Sequence, residues 1–115
     1  MLLRIDPASD VPLHEQIAAQ IRRAISDGKL SGGEQLPPAR ELATSLGVNM
    51  HTVLRACATL RDEGLVEMRP GRGISVLGKG APRARLVELA RALLAEARRN
   101  SLGLRELKKL LEELS

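Results

Sequence analysis

Two short amphipathic helical patterns meet at one glycine in "LPPARELATSLGVNMHTVLRA", residues 36–56, and this junction constrains the fold more than any other stretch. Leu42, Ala43 and Leu46 mark the apolar face of the first pattern, and Val53, Ala56, Cys57 and Leu60 mark that of the second. Helices that cross steeply need a small residue at the contact, which Ala43 supplies. The sharp turn between them needs a positive φ, which Gly47 adopts without steric cost. Val48 plugs the corner. The second helix then projects His51, Thr52, Arg55, Thr59 and Asp62 away from the core. Asn49 is placed to cap it, and the helix start carries a partial positive charge suited to phosphate. In a helix-turn-helix, the first residues of the second helix reach base edges in the major groove. Many helical hairpins with the same Ala-x-x-x-Gly spacing bind nothing, so the junction alone leaves both readings open.

The flanking segments narrow the choice. "PLHEQIAAQIRRAISDG" predicts a helix with Leu13, Ile17, Ile21, Ala24 and Ile25 on one face, Pro12 in its first turn and Gly28 at its end. A loop with Gly32 and Gly33 follows. "GLVEM" and "ISVL" read as two strands around "RPGRG", which places Arg69 and Arg72 beside a Pro-Gly turn. By itself this is a solvated β-turn. Helix, helix-turn-helix and basic hairpin in that order are the layout of a winged helix, whose wing lies along the DNA backbone or minor groove. "LLRID" reads as a short edge strand, and "GKGAPR" as a basic linker. From Arg83 the helical period returns in Leu86, Leu89, Ala90, Leu93, Leu94 and Ala97. After "SLG" a second stripe carries Leu104, Leu107, Leu110, Leu111 and Leu114. The expected fold is mainly α with a small β-hairpin: a winged helix-turn-helix over residues 1–78, then a linker and helical dimerisation region over 79–115.

Composition excludes several functions. The 115 residues contain no Phe, Tyr or Trp, so the core is built from smaller aliphatic residues and gains from oligomerisation. No ring is present to stack on an unpaired base, to form an aromatic cage or to line a flat cofactor slot. One cysteine, Cys57, allows no intramolecular disulfide and reads as a small buried apolar residue. No run of about 18 apolar residues suggests a membrane span, and the opening "MLLRIDPASD" is too short and acidic for a signal peptide. A cytoplasmic protein is expected. The net charge of +4 hints at a polyanion partner. Residues 1–78 nevertheless hold nine Lys and Arg against nine Asp and Glu, and the excess lies in 79–115, with nine bases against five acids. DNA binding must therefore depend on where particular arginines sit. His51 has no second ligand at metal spacing, and His14 is expected at the surface or in a cap. The adjacent pairs Asp62–Glu63 and Glu112–Glu113 point in different directions on their helices. No metal, cofactor or enzyme activity is expected.

Residues 12–76 resemble the GntR family of bacterial transcription regulators. The resemblance is carried by "GKLSGGEQLP" (28–37), "RELA" (40–43), Thr52 and Val53, "EGLV" (63–66) and "GRG" (71–73). The opening "LLRID" and "PLHEQI", with a tail of under forty residues, look like the YtrA-like subfamily, described as short dimeric repressors with two C-terminal helices, often acting on transporter operons. The resemblance implies that Arg40 touches DNA from the front of the first motif helix. It implies that Asn49, Met50, His51 and Thr52 form the reading tip, that Arg55 lies along the groove, and that Gly71 and Arg72, with Arg69 beside them, form the wing. The chain departs from the family at Pro38, where serine is common, at Met50, where arginine is common, and near Cys57, where an aromatic residue is common. Methionine cannot make the paired hydrogen bonds that arginine makes to guanine, so the target sequence should differ.

The tail helices are too short to stand alone. Their stripes either pack on the same chain or form a dimer interface through Leu86, Leu89, Leu93, Leu107, Leu111 and Leu114, and the dimer is favoured. The expected partners are a near-palindromic double-stranded operator and a second copy of the chain, with no membrane. The alternative is a winged-helix interaction module that binds nucleic acid only weakly. An effector is unidentified. With no aromatic residues there is little material for an apolar pocket of about 300 Å³, so an effector is expected to bind weakly or at the dimer interface.

Overall fold

A computed structural model describes residues 3–115. The element order is α1 (Leu13–Ser26), α2 (Ala39–Leu46), α3 (Met50–Asp62), β1 (Val66–Arg69), β2 (Gly73–Val76), α4 (Gly80–Arg99) and α5 (Leu104–Leu114). The chain divides into two compact units, one ending at Arg85 and one comprising Leu86–Ser115. The division falls inside α4.

The first unit is a winged helix-turn-helix. Its core is aliphatic: Ile17, Ile21 and Ile25 of α1 pack with Val53, Ala56, Cys57 and Leu60 of α3, and Leu42 and Ala43 of α2 close one side. Leu65, Val66, Ile74 and Val76 bring the hairpin onto the same cluster. The face selection follows the helical period read from the sequence. α2 ends at Gly47, whose φ of +67° is the left-handed cap that reverses the chain toward α3. β1 and β2 are antiparallel in the register Val66↔Val76 to Arg69↔Gly73.

Several segments differ from expectation. The "LLRID" reading reaches Leu2, which lies outside the described residues, and residues 3–6 form no strand. They run extended against α1, where two glutamine side chains replace a strand partner. Arg4 N–H donates to Gln20 Oε1 at 2.7 Å, and Gln20 Nε2 donates back to the Arg4 carbonyl. Gln16 does the same for Asp6, at 2.8 and 3.0 Å. The supposed loop at 33–36 makes a second, short pairing on the far edge of β2, an isolated bridge between Gln35 and Ser75. Gly33 N–H donates to the Val76 carbonyl at 2.7 Å, Val76 N–H to that of Glu34 at 2.8 Å, and Leu36 N–H to that of Ile74 at 2.8 Å. Polar "GGEQ" hides this bridge because backbone groups make the pairing. "GKGAPR" is no free linker: α4 begins at Gly80, with Pro82 tolerated in its first turn. Gly80 is buried, and a Cβ there would lie 2.9 Å from Ile25 Cγ2 and 3.0 Å from Val76 Cγ1. The glycine is there for close approach. His14 is half-buried on α1, and its Nδ1 is shielded without a hydrogen-bond partner among the described residues, rather than free at the surface or capping.

One charged pair ties this unit together. Arg22 of α1 grips Glu63, which follows α3, through Nε–Oε1 at 2.8 Å and Nη2–Oε2 at 2.9 Å, with both side chains largely buried. The Glu63 carbonyl also accepts from Arg83 Nε of α4 at 2.7 Å. A bidentate arginine fork suits this task because it holds orientation as well as charge.

The second unit is a helical hairpin. Asn100 Nδ2 donates to the carbonyl and to Oε2 of Glu96, both at 2.9 Å, and Leu102 N–H to the Ala97 carbonyl at 2.8 Å, closing the end of α4. Ala97 and Leu107 are buried in this hairpin.

Candidate nucleic-acid interface

The tip of α3 is built by its cap. Asn49 is extended, with φ −68° and ψ 141°, and its Oδ1 accepts the His51 backbone N–H at 2.8 Å. That bond satisfies one of the otherwise free donors of the first turn and holds the helix start rigid. Met50 and His51 are exposed, Thr52 is half-buried, and Arg55 is exposed one turn beyond His51 on the same face. Arg40 is exposed at the start of α2, which follows Pro38 directly.

The wing tip is a β-turn, with Arg72 N–H donating to the Arg69 carbonyl at 3.0 Å. Pro70 presets the first central position, and Gly71, with φ +75°, supplies the positive φ that the second requires. Open space surrounds Gly71, so another backbone can approach it. Arg72 is exposed, while Gln35 Nε2 donates to its carbonyl and anchors the wing to the 33–36 segment. Gln35 went unnoticed in the sequence because it lies outside both motif and strand patterns. Arg69 is exposed too, yet its Nε is paired with Glu67 on the same strand. A phosphate would have to compete with Glu67 for it.

The start of α2, the flank of α3 and the wing share one open groove of about 400 Å³, lined by Pro38, Ala39, Leu54, Met68, Pro70 and Ile74, with Arg69 at its rim. Sequence reasoning looked for such apolar space in the tail and missed it here. Its lining comes from four separate stretches, 38–39, 54, 68–71 and 73–74, so no single one of them announces it. The structure thus gathers Pro38, Ala39, Arg69 and Gly71 around a single opening, with Arg40 next in the chain to Ala39.

The six tail leucines are not alike. Leu86 is 66% exposed and Leu114 75%, and Leu89, Leu93 and Leu111 are exposed as well, whereas Leu107 is 3% exposed inside the hairpin. Leu107 is thus already withdrawn from water within a single copy of the chain, unlike the other five.

Cys57 lies buried under α3, and burial pushes its thiol up to about 11. It is a core residue held as a thiol at neutral pH. Among the described residues no group of three or more His, Cys, Asp or Glu could hold a metal ion, and no helix is long and apolar enough to cross a membrane.

Residues 13–76 match the family described as bacterial regulatory proteins, gntR family. The chain is similar to the HTH-type transcriptional repressor YtrA of Bacillus subtilis, with 40% identity over 72 residues, which are 63% of this chain and 55% of that protein. The chain thus spans about half the length of that relative. Among solved structures, YtrA from Sulfolobus acidocaldarius, a GntR-family transcription factor, superposes with a TM-score of 0.64 at 39% identity, covering 82% of this chain and 99% of that one. The DNA-binding domain of AraR in complex with operator ORX1 superposes with a TM-score of 0.58 at 29% identity, covering 66% of this chain and 94% of that one.

Proposed function

Because the chain belongs to the GntR family of bacterial regulatory proteins, we propose that it is a dimeric, sequence-specific repressor of a nearby operon, often a transporter operon in the subfamily it resembles. It acts in the cytoplasm on a near-palindromic double-stranded operator. Residues 1–78 bind DNA, and the part of 79–115 that lies beyond the first unit pairs two copies. The observation that carries this reading is the capped, exposed α3 tip together with the exposed Gly71–Arg72 wing, which shares a groove with Leu54 of the same helix. A helix tip in the major groove and a wing along the backbone engage a duplex at two places at once. Asn49, Met50, His51 and Thr52 form the reading tip. Arg40, Arg55, Arg69 and Arg72 contact phosphate or groove edges, and the Gly71 backbone approaches the sugar–phosphate chain. The operator-bound AraR neighbour supports duplex DNA as the partner of this fold.

The dimer reading is supported by Leu86, Leu89, Leu93, Leu111 and Leu114, all exposed on a short helical hairpin. A two-fold pair would place two α3 tips one or more helical turns apart on the operator. An effector would act at the pairing surface by changing that spacing, since a ligand releases DNA only if it prefers another arrangement of the two reading helices.

Duplex titrations at several salt concentrations test the roles. Arg72→Ala should weaken all duplexes similarly and reduce the salt slope by about one unit, as one lost phosphate contact requires. His51→Ala should relax preference at one base position by about 1–3 kcal/mol. Identical behaviour of the two variants refutes this division of labour. Binding to no duplex at low salt favours a protein-interaction module instead.

A further inference from the structure

The first turn of α3 carries an apolar side chain at a place where phosphate and guanine both call for a donor. Met50 is the first residue of the helix, directly after the Asn49 cap, and is 39% exposed. Leu54 stands one turn further on, so the two share a flank of α3. Leu54 is half-buried and borders the apolar groove that Pro38, Ala39, Met68 and Pro70 line. One flank of the helix is therefore apolar from its tip to the root of the wing, beside the face that carries His51 and Arg55.

A duplex offers one complement to such a flank. Apart from the small C5–H of cytosine, the base-edge groups in the major groove are hydrogen-bond donors or acceptors, whereas thymine presents a protruding C5-methyl group. A methionine thioether is flexible and polarizable and has no donor, so it suits a methyl contact and not guanine. Resting on the DNA-binding reading above, we infer that Met50, with Leu54 behind it, recognises the C5-methyl of thymine. Each half-site then carries thymine at the base pair that the α3 tip meets.

The experiment starts from duplexes that the full chain selects out of a random-sequence pool. Each dT of the selected duplex is replaced singly by dU, which removes the methyl and leaves every hydrogen-bonding group in place. At one or two positions per half-site, binding should fall about three- to four-fold, the effect of one buried methyl. Met50→Ala should bind the dT and dU duplexes equally at one of these positions and respond unchanged at the rest. Met50→Arg, at a position that is 39% exposed in the unaltered protein, should prefer guanine there, with circular dichroism confirming that it folds. Indifference of the unaltered protein to every dU overturns the inference, as does a dU effect that survives Met50→Ala in full. Failure to select any duplex overturns the DNA-binding reading with it, so the two failures are told apart.

Discussion

The two units of this chain use the same aliphatic residues in opposite ways. In the first, Ile17, Ile21, Ile25, Val53, Leu60 and Leu65 are withdrawn from water. In the second, Leu86, Leu89, Leu104, Leu110, Leu111 and Leu114 face it, and only Ala97 and Leu107 are withdrawn. Both regions have strong helical periodicity, so amphipathicity is not the difference. The difference is the number of directions from which a core can be closed. Three crossing helices and a hairpin enclose a volume, whereas two helices in a hairpin enclose a single seam. The first unit is complete by itself. The second leaves an exposed apolar face, and covering such a face would be worth about 25 cal/mol per Å² of apolar surface.

Breaking the first unit should cost the most. Glu63→Ala leaves the Arg22 guanidinium buried without its carboxylate and also removes a partner of α1 from the end of α3. A loss of about 3–5 kcal/mol in unfolding free energy is expected. Chemical denaturation of the purified chain measures it, and a loss below 1 kcal/mol would show that the pair is solvated. The second unit should respond differently. Leu93→Arg should leave the helical circular dichroism intact, give a monomer by sedimentation and weaken operator binding by about 10²-fold or more, because linked half-sites lose their effective concentration. A monomer with undiminished operator affinity would remove the tail from the binding mechanism.

Gly80→Val sharpens the comparison at the start of α4. The added side chain would meet Ile25 and Val76, and overpacking of this kind costs about 1–3 kcal/mol. Thermal unfolding reports it. Were this stretch only a linker, the midpoint would not move. The smallest effect is expected at the end of α4. Hydrogen bonds from Arg99 and Asn100 hold the exposed Glu96 carboxyl below the usual carboxylate range. A depressed folded-state value means that the bond's contribution is fully present above the ordinary carboxylate range. It is lost as pH falls through the lower folded value. The protection factors of the Ser101 and Leu102 amides, which take out the intrinsic pH dependence of exchange, should therefore fall only in acid, and Glu96→Gln should flatten that dependence.

The pattern of Leu, Ile, Val and Ala along the chain was enough to define α1, α2, α3 and the hairpin. A half-buried element repeats its apolar residues at its own period, and Gly47 and Asn49 punctuate the turn between α2 and α3. The capped start of α3, proposed as the reading tip, was legible for the same reason, since cap and helix start are local. What tertiary structure alone decided has no period. The 33–36 pairing on β2 is made by backbone groups, which carry no residue code. The clasp of residues 4 and 6 depends on two glutamines of α1. Gly80 reads as a linker glycine until Ile25 and Val76 are seen against it, and Leu107 reads like its neighbours until the hairpin closes over it. Met50 is ordinary in composition and acquires meaning when Leu54 and the groove extend it into a flank. Local spacing determines which face of an element avoids water. Which surface meets that face depends on residues far apart in the chain, and only folding brings them together.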